Sequence, residues 1–367
     1  MTTDTLIIDA EINSDSPQPT ELAGGIDSLG EVASTADPEV LDRKASYASL
    51  LEDSSPLVSF PSEGIDHCDN KKVFQLSQLC RDLIELTKPR IVIMILVTTI
   101  ATALIGAGQA LGMPALIWLL MGTGLIAASA GTANQVWERQ IDKRMTRTAS
   151  RPLAAARLPW LVGSILAGVL GVAGSVILFS KFNAVPALVG AATWLLYVLV
   201  YTPMKTRTAW NTSVGAVAGA LPMLMGYTAV GGELTDATGW LLVGILAAWQ
   251  YPHFMAIAWM YRKQYAEAGF QMSTTVDPTG KSAGIQSVMG SILLIGCACA
   301  LCWMRSTTTG AGAGAASMVT LVVTWPMLSA SIKFLRSPDD QIARLLLRKS
   351  LIVLPLVLAI VTVALLG

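Results

Sequence analysis

Residues 114–152 read PALIWLLMGTGLIAASAGTANQVWERQIDKRMTRTASRP, an apolar run that turns without a break into a dense polar block. A helix needs about 20 apolar residues to cross the hydrocarbon core of a bilayer, and 114–134 supplies that length. From there Asn134, Glu138 and Asp142 recur at every fourth position, which on a helix sets their oxygens along one face. Lys143, Arg144, Arg147 and Arg151 follow close behind. Hard oxygen ligands followed by cations at short spacing suit a diphosphate bridged by Mg²⁺. Mixed charge at a helix end is as readily an ordinary solvated face, and spacing alone leaves both readings open.

Composition supports the membrane reading of the apolar half. The 367 residues are 53% hydrophobic and 14% charged, with a mean hydropathy of +0.56, far from the makeup of a soluble domain. The net charge of zero hides two opposed parts. Residues 1–69 hold fifteen acidic residues against Arg43 and Lys44, and the remainder holds twenty-three basic against ten acidic. The first part is rich in Asp, Glu, Ser, Thr and Pro without sustained periodicity, so a disordered acidic tail is expected over 1–70. It has no basic region leading into an apolar core, so a secretory signal is not expected. The chain from 80 to 367 is expected to form one polytopic membrane domain. Cys297, Cys299 and Cys302 lie in an apolar run with no histidine or acid nearby and read as small buried hydrophobes.

Beyond Pro89 the apolar stretches predict an all-α membrane protein of about nine spans. They fall near 90–110, 114–134, 158–178, 184–203, 210–230, 238–258, 285–305, 313–333 and 347–366. The connecting loops differ strongly in charge. One set carries Arg139 to Arg157, Lys205, Arg207, Arg262, Lys263, Lys281, Lys333, Arg336, Arg344, Arg348 and Lys349, while the other offers Lys181, Arg305, Glu233 and Asp236. The positive-inside rule puts the first set, with Lys71, Lys72, Arg81, Lys88, Arg90 and the amino terminus, in the cytoplasm of a cell whose inner membrane the chain spans, and the carboxyl terminus on the opposite side. Transporters place ionisable groups and broken helices at the midplane; here the charge gathers at one rim. That rim can receive a soluble charged headgroup while an apolar tail lies between helices.

Two further segments join the first at the rim. The loop after the fourth span reads YTPMKTRT (201–208): Lys205 and Arg207 can neutralise phosphate charge, and Tyr201 can face a cation with its ring. Taken alone, these are also ordinary interfacial residues. The third segment, WQYPHFMAIAWMYRKQYAEAGF (249–270), contains His253, one of only two histidines. Beside Pro252 near a helix end it can ligate iron, bind a carboxylate or hydrogen-bond a carbonyl.

Together NQVWERQIDKRMTRTASRPL, YTPMKTRT with the following WNTSVGAVAGALPMLMGYTAVGG, and WQYPHFMAIAWMYRKQYAEAGF resemble the UbiA superfamily of intramembrane prenyltransferases. The PHF element and the downstream Tyr-x-x-Ala-Gly (265–269) resemble its protoheme IX farnesyltransferase, or haem O synthase, family. Quinone or chlorophyllide branches are the alternative acceptors. The resemblance implies a UbiA-like helical bundle around a central cavity, with Mg²⁺ as cofactor and farnesyl diphosphate and haem b as substrates. It implies no nucleic-acid partner, the lipid bilayer as surroundings, and an association with a later haem A enzyme.

Carried over by residue, Asn134, Glu138 and Asp142 match the first metal-binding motif, Glu138 standing where Asp is usual. Arg147 and Arg151 match the adjoining Arg-Thr-x-x-Arg-Pro, and Lys205 and Arg207 match the second basic loop; Lys143 joins them as a diphosphate contact. Gln264 stands where the family usually has an Asp, so either Glu267 compensates, or the second metal is held mainly by diphosphate and water, or activity is reduced; the second is the expectation adopted, with Gln264 and Glu267 as weak ligands. Tyr201 and Tyr261 are expected to wall the reacting cation, and His253 to position haem by iron ligation or a propionate contact. In the implied reaction a vinyl group of haem b attacks the farnesyl cation left by diphosphate, and water supplies a hydroxyl.

Overall fold

A computed structural model describes residues 66–107, 112–305 and 310–366. The acidic tail expected over 1–70 therefore lies outside the described residues as far as 65. From Asp66 the chain is helical, and no strand occurs among the described residues. The helices are α1 (Asp66–Leu86), α2 (Pro89–Ala107), α3 (Met113–Asp142), α4 (Trp160–Lys181), α5 (Ala184–Leu195), α6 (Asn211–Ala229), α7 (Ala237–Met260), α8 (Arg262–Glu267), α9 (Ser273–Val276), α10 (Lys281–Arg305), α11 (Gly310–Arg336) and α12 (Asp340–Leu366). Helix α5 runs on through one π-helical turn, Leu196–Tyr201, into Thr202–Met204.

Among the described residues eight helices are long and apolar enough to cross a membrane, one fewer than the nine expected. Helix α6 occupies the place of the predicted span 210–230 but is not among them. Its sequence, NTSVGAVAGALPMLMGYTA, trades apolar bulk for small and polar residues. The reason is its position: α6 packs against α2, α5 and α7, and most of its side chains are buried. Small residues let backbones approach where lipid tails give no hydrophobic drive between helices. A Cβ on Gly226 would lie 2.5 Å from the Thr99 carbonyl oxygen of α2, so only glycine permits that approach.

Helices α3 and α4 pair closely, as do α7 with α10, α10 with α11 and α11 with α12; α7 and α12 also pack together, and α2 touches α12. Large apolar side chains such as Val172, Leu188, Val322 and Val363 remain exposed around the outside, as a lipid-facing surface requires. The interior carries Leu242, Ile245, Leu294 and Phe334, fully buried.

Two helix ends matter for the site. Helix α3 is 30 residues long and continues past the expected span 114–134 to Asp142, so the three oxygen-bearing residues do share a helix. Residues 201–204, where the expected span 184–203 and the loop after it overlap, are helical. Pro203 has no N–H to donate, and the Thr202 N–H bonds to the Tyr197 carbonyl five residues back. Such π turns often sit where a helix presents functional groups.

A polar cradle at one end of the bundle

Because α3 extends through the polar block, Asn134, Glu138 and Asp142 line one helix face and are buried, at 1%, 4% and 1% exposure. An ordinary solvated helix end would leave them in water, so that alternative reading is set aside. Each meets a cation from a different part of the chain. Lys88 Nζ donates to Asn134 Oδ1 at 2.7 Å. Lys205 Nζ donates to Glu138 Oε1 at 2.7 Å. Arg151 Nη1 donates to both Asp142 carboxylate oxygens, at 3.0 and 2.9 Å. Buried carboxylates of this kind persist only when paired.

The orientation of Asn134 is fixed by the π turn. Thr202 Oγ1 donates its hydrogen to the Tyr197 carbonyl, 2.9 Å away, so it accepts from Asn134 Nδ2 at 3.1 Å. The amide oxygen is thereby turned toward Lys88, as a metal or cation ligand would need.

These residues line a cavity of about 110 Å³ with Met145, Arg147, Thr148, Tyr197, Tyr201, Tyr265, Phe270 and Met272. The Tyr201 ring lies under the Lys205 ammonium at 4.7 Å and 5.2 Å from the Tyr197 ring. Gly215 makes room for it, since a Cβ there would fall 2.6 Å from Tyr201 Cε2. Burial works against charge on Lys205, but Glu138 and the tyrosines outweigh it and raise its pKa. Burial, reinforced by Arg151 and Lys205, instead lowers Lys88, to about 7.

Three loops close the cradle. Thr148 Oγ1 donates to the Asp142 carbonyl at 3.0 Å, folding the 143–151 segment back so that Arg151 returns to Asp142. Arg157 grips both oxygens of Asp82 on α1 at 3.1 Å and the Ser150 carbonyl at 2.6 Å, anchoring the same segment from behind. On the other side the Gln271 N–H reaches the Lys205 carbonyl at 2.6 Å, and Asn211 Nδ2 bridges the Thr208 and Gln271 carbonyls.

The Tyr-x-x-Ala-Gly element has a structural reason of its own. Gly269 adopts φ +82°, its N–H bonds to the Ala266 carbonyl, and the Phe270 N–H bonds to the Tyr265 carbonyl. This is a Schellman cap, which calls for glycine at the left-handed position. The cap brings the Tyr265 and Phe270 rings edge to face, 5.7 Å apart, and both line the cavity.

Of the residues singled out from sequence, Asn134, Glu138, Asp142, Arg147, Arg151, Tyr201 and Lys205 meet at this cavity. Lys143 and Arg207 are exposed and do not line it. Tyr261 lies just outside, its ring facing the Arg147 guanidinium at 5.1 Å. Gln264 is half-buried and Glu267 exposed on α8, and neither lines the cavity. His253 lies on α7 against α12, away from the cradle lining. Sequence reasoning gave Lys88 no role beyond loop charge and missed Thr202, Asn211, Tyr265 and Phe270; the signal for Lys88 was a cation immediately before a span-initiating proline.

The residues present fit Mg²⁺. Two buried carboxylates and an oriented amide oxygen face one small cavity, and Mg²⁺ is commonly held by one or two carboxylates together with substrate phosphates. No cluster of three or more His, Cys, Asp or Glu side chains occurs among the described residues, so a cage built from protein carboxylates alone is not what the cradle offers. Cys302 is buried, Cys297 and Cys299 are half-buried, and all three are free thiols, as expected of small hydrophobes.

A model of the UbiA prenyltransferase family matches residues 95–353. The protoheme IX farnesyltransferase of Rhodopirellula baltica is 57% identical over 282 residues, 76% of this chain and 98% of that protein. The protoheme IX farnesyltransferase of Solibacter usitatus is 45% identical over 232 residues, 59% of this chain and 76% of that protein. A solved UbiA homologue from Archaeoglobus fulgidus, bound to DMAPP and Mg²⁺, superposes with a TM-score of 0.58 at 14% identity over 77% of this chain and 99% of its own; at that identity the likeness concerns the fold. The chain belongs to the UbiA prenyltransferase family.

Proposed function

We propose that this UbiA-family protein is a protoheme IX farnesyltransferase, moving the farnesyl group of farnesyl diphosphate to a vinyl group of haem b to give haem O. The observation that carries the reading is the cradle, in which buried oxygens of Asn134, Glu138 and Asp142 are matched by Lys88, Lys205 and Arg151. Such a set can exchange partners. The cations turn to a diphosphate, which releases the oxygens to hold a divalent metal. The names of the similar farnesyltransferases supply the acceptor and the prenyl length.

Asn134, Glu138 and Asp142 would hold Mg²⁺. Bound there, the ion neutralises charge on the leaving diphosphate. Lys88, Lys205, Arg147 and Arg151 donate to the diphosphate oxygens as the bond to the farnesyl C1 lengthens, stabilising charge where it develops. Tyr197, Tyr201, Tyr265 and Phe270 present ring faces that shield the allylic cation from water. The vinyl electron pair of haem forms the new C–C bond, and water adds to the resulting cation with loss of a proton. His253 positions the haem. Gln264 and Glu267, outside the cradle, play at most an indirect part in metal binding. The basic rim faces the cytoplasm of the inner membrane and the carboxyl terminus the opposite side, which gives a water-soluble diphosphate access from inside.

The test is a membrane assay with farnesyl diphosphate, Mg²⁺ and haem b, read by mass spectrometry. Haem O is the expected product. No haem O, with prenylation of an aromatic acid instead, moves the protein to a quinone branch of the family.

A further inference from the structure

His253 and Trp249 stack on α7, with ring centroids 4.6 Å apart and planes inclined by 24°, and both bond to one residue of α12. Trp249 Nε1 donates to the Ser350 carbonyl at 2.6 Å. His253 Nδ1 lies 3.0 Å from Ser350 Oγ. Ser350 is fully buried.

Which partner donates in the second contact follows from the other bond of the same hydroxyl. Ser350 Oγ is 2.7 Å from the Leu347 carbonyl oxygen. A carbonyl can only accept, and a serine hydroxyl has a single hydrogen. Were that hydrogen turned toward His253, two oxygens would face each other at 2.7 Å with no proton between them, in a dry setting where unmade bonds cost most. The hydrogen therefore lies on the Leu347 carbonyl, Oγ accepts, and His253 Nδ1 carries the proton. In the neutral ring Nε2 then holds the lone pair. Nε2 makes no hydrogen bond among the described residues, and His253 is half-buried, so its lone pair has no protein partner.

We infer that Ser350 is a positioning residue that holds His253 in its Nδ1–H tautomer and presents the bare Nε2 to the iron of the haem substrate. The inference rests on the reading of His253 as a haem-positioning group and adds the residue that sets its chemistry. A hydrogen-bond acceptor behind the protonated nitrogen orients the ring and makes the other nitrogen a better ligand, and losing such a partner typically weakens metal binding about 10–100-fold.

Two measurements on the purified full chain test it. The chain has only two histidines, His67 and His253, so ¹⁵N-histidine labelling in the His67→Asn background reports the His253 tautomer without haem. A protonated Nδ1 with a bare Nε2 supports the inference, and a protonated Nε2 overturns it. The second measurement is a haem b titration followed by absorption. Ser350→Ala should bind about 10–100-fold more weakly, Ser350→Thr should keep the native imidazole-ligated spectrum, and adding Ser350→Ala to His253→Ala should cost nothing further. An equal loss in both backgrounds makes Ser350 merely structural and overturns the inference. Unchanged affinity and spectrum in His253→Ala overturn the haem reading beneath it, a failure the tautomer measurement keeps separate.

Discussion

The two segments expected to bind metal, 134–142 on α3 and 262–267 on α8, look alike in sequence and differ in structure. Both place oxygen-bearing side chains at helical spacing beside arginines or lysines. On α3 the oxygens are buried and each is met by a cation from another segment. On α8 Lys263 and Glu267 are exposed, Arg262 turns away to Asp340 at 2.7 Å, and the Tyr-x-x-Ala-Gly pattern is accounted for by a glycine cap. The difference teaches that spacing proposes a ligand set, while burial with long-range partners decides whether one exists.

That contrast breaks first at Asp142. Asp142→Asn keeps the shape and a hydrogen bond to Arg151 but removes the charge, and initial rates of haem O formation should fall roughly 10²–10³-fold, the scale for removing one electrostatic stabiliser. Near-native rates would dissolve the distinction between the two segments. Lys205→Met comes next: a charged hydrogen bond is worth about 1.5–3 kcal/mol, so KM for farnesyl diphosphate should rise about 10–100-fold, a loss that varying the diphosphate concentration will expose.

On the other side of the comparison, Gln264→Ala and Glu267→Ala should leave kcat and the Mg²⁺ requirement within about twofold, as surface substitutions do. Gln264→Asp sharpens the point, since a working second metal site there would show as a lowered Mg²⁺ requirement. A separate effect, on stability rather than turnover, falls in the loop beyond α9. Asp277 accepts from the Thr279 hydroxyl and the Ser282 N–H, and these bonds hold its carboxyl below the usual carboxylate range. The unfolded chain therefore binds the proton more readily, so this contribution is present above about pH 4 and fades as pH falls through the folded value. Asp277→Ala should cost about 1 kcal/mol, as loss of a helix-start acceptor does, and thermal unfolding in detergent should show the loss at pH 7 shrinking toward acid pH.

Much of the bundle was legible because bilayer thickness sets a length that apolar runs must meet. The exceptions have physical causes. Helix α3 runs beyond its apolar span because Asn134, Glu138 and Asp142 are polar yet buried, a combination hydropathy cannot register. Helix α6 falls short in apolarity because its neighbours are helices, and small residues such as Gly215 and Gly226 serve close packing there. Within the cradle, four-residue spacing revealed the α3 face and the nearby arginines. Lys88, Thr202 and Asn211 stayed hidden because their roles depend on contacts 46 to 68 residues away in the chain. His253 was visible as a rare residue, but its hydrogen-bond partner Ser350 lies 97 residues distant.

If the α3 oxygens bind metal by giving up their cations to diphosphate, metal binding must depend on the diphosphate. Mn²⁺, a paramagnetic stand-in for Mg²⁺, can be titrated into the purified protein and its binding followed by electron paramagnetic resonance, with and without farnesyl diphosphate. Tight binding only when the diphosphate is present, lost in Asp142→Asn and retained in Gln264→Ala, is the predicted result; tight binding without diphosphate, or binding that survives Asp142→Asn, would contradict it.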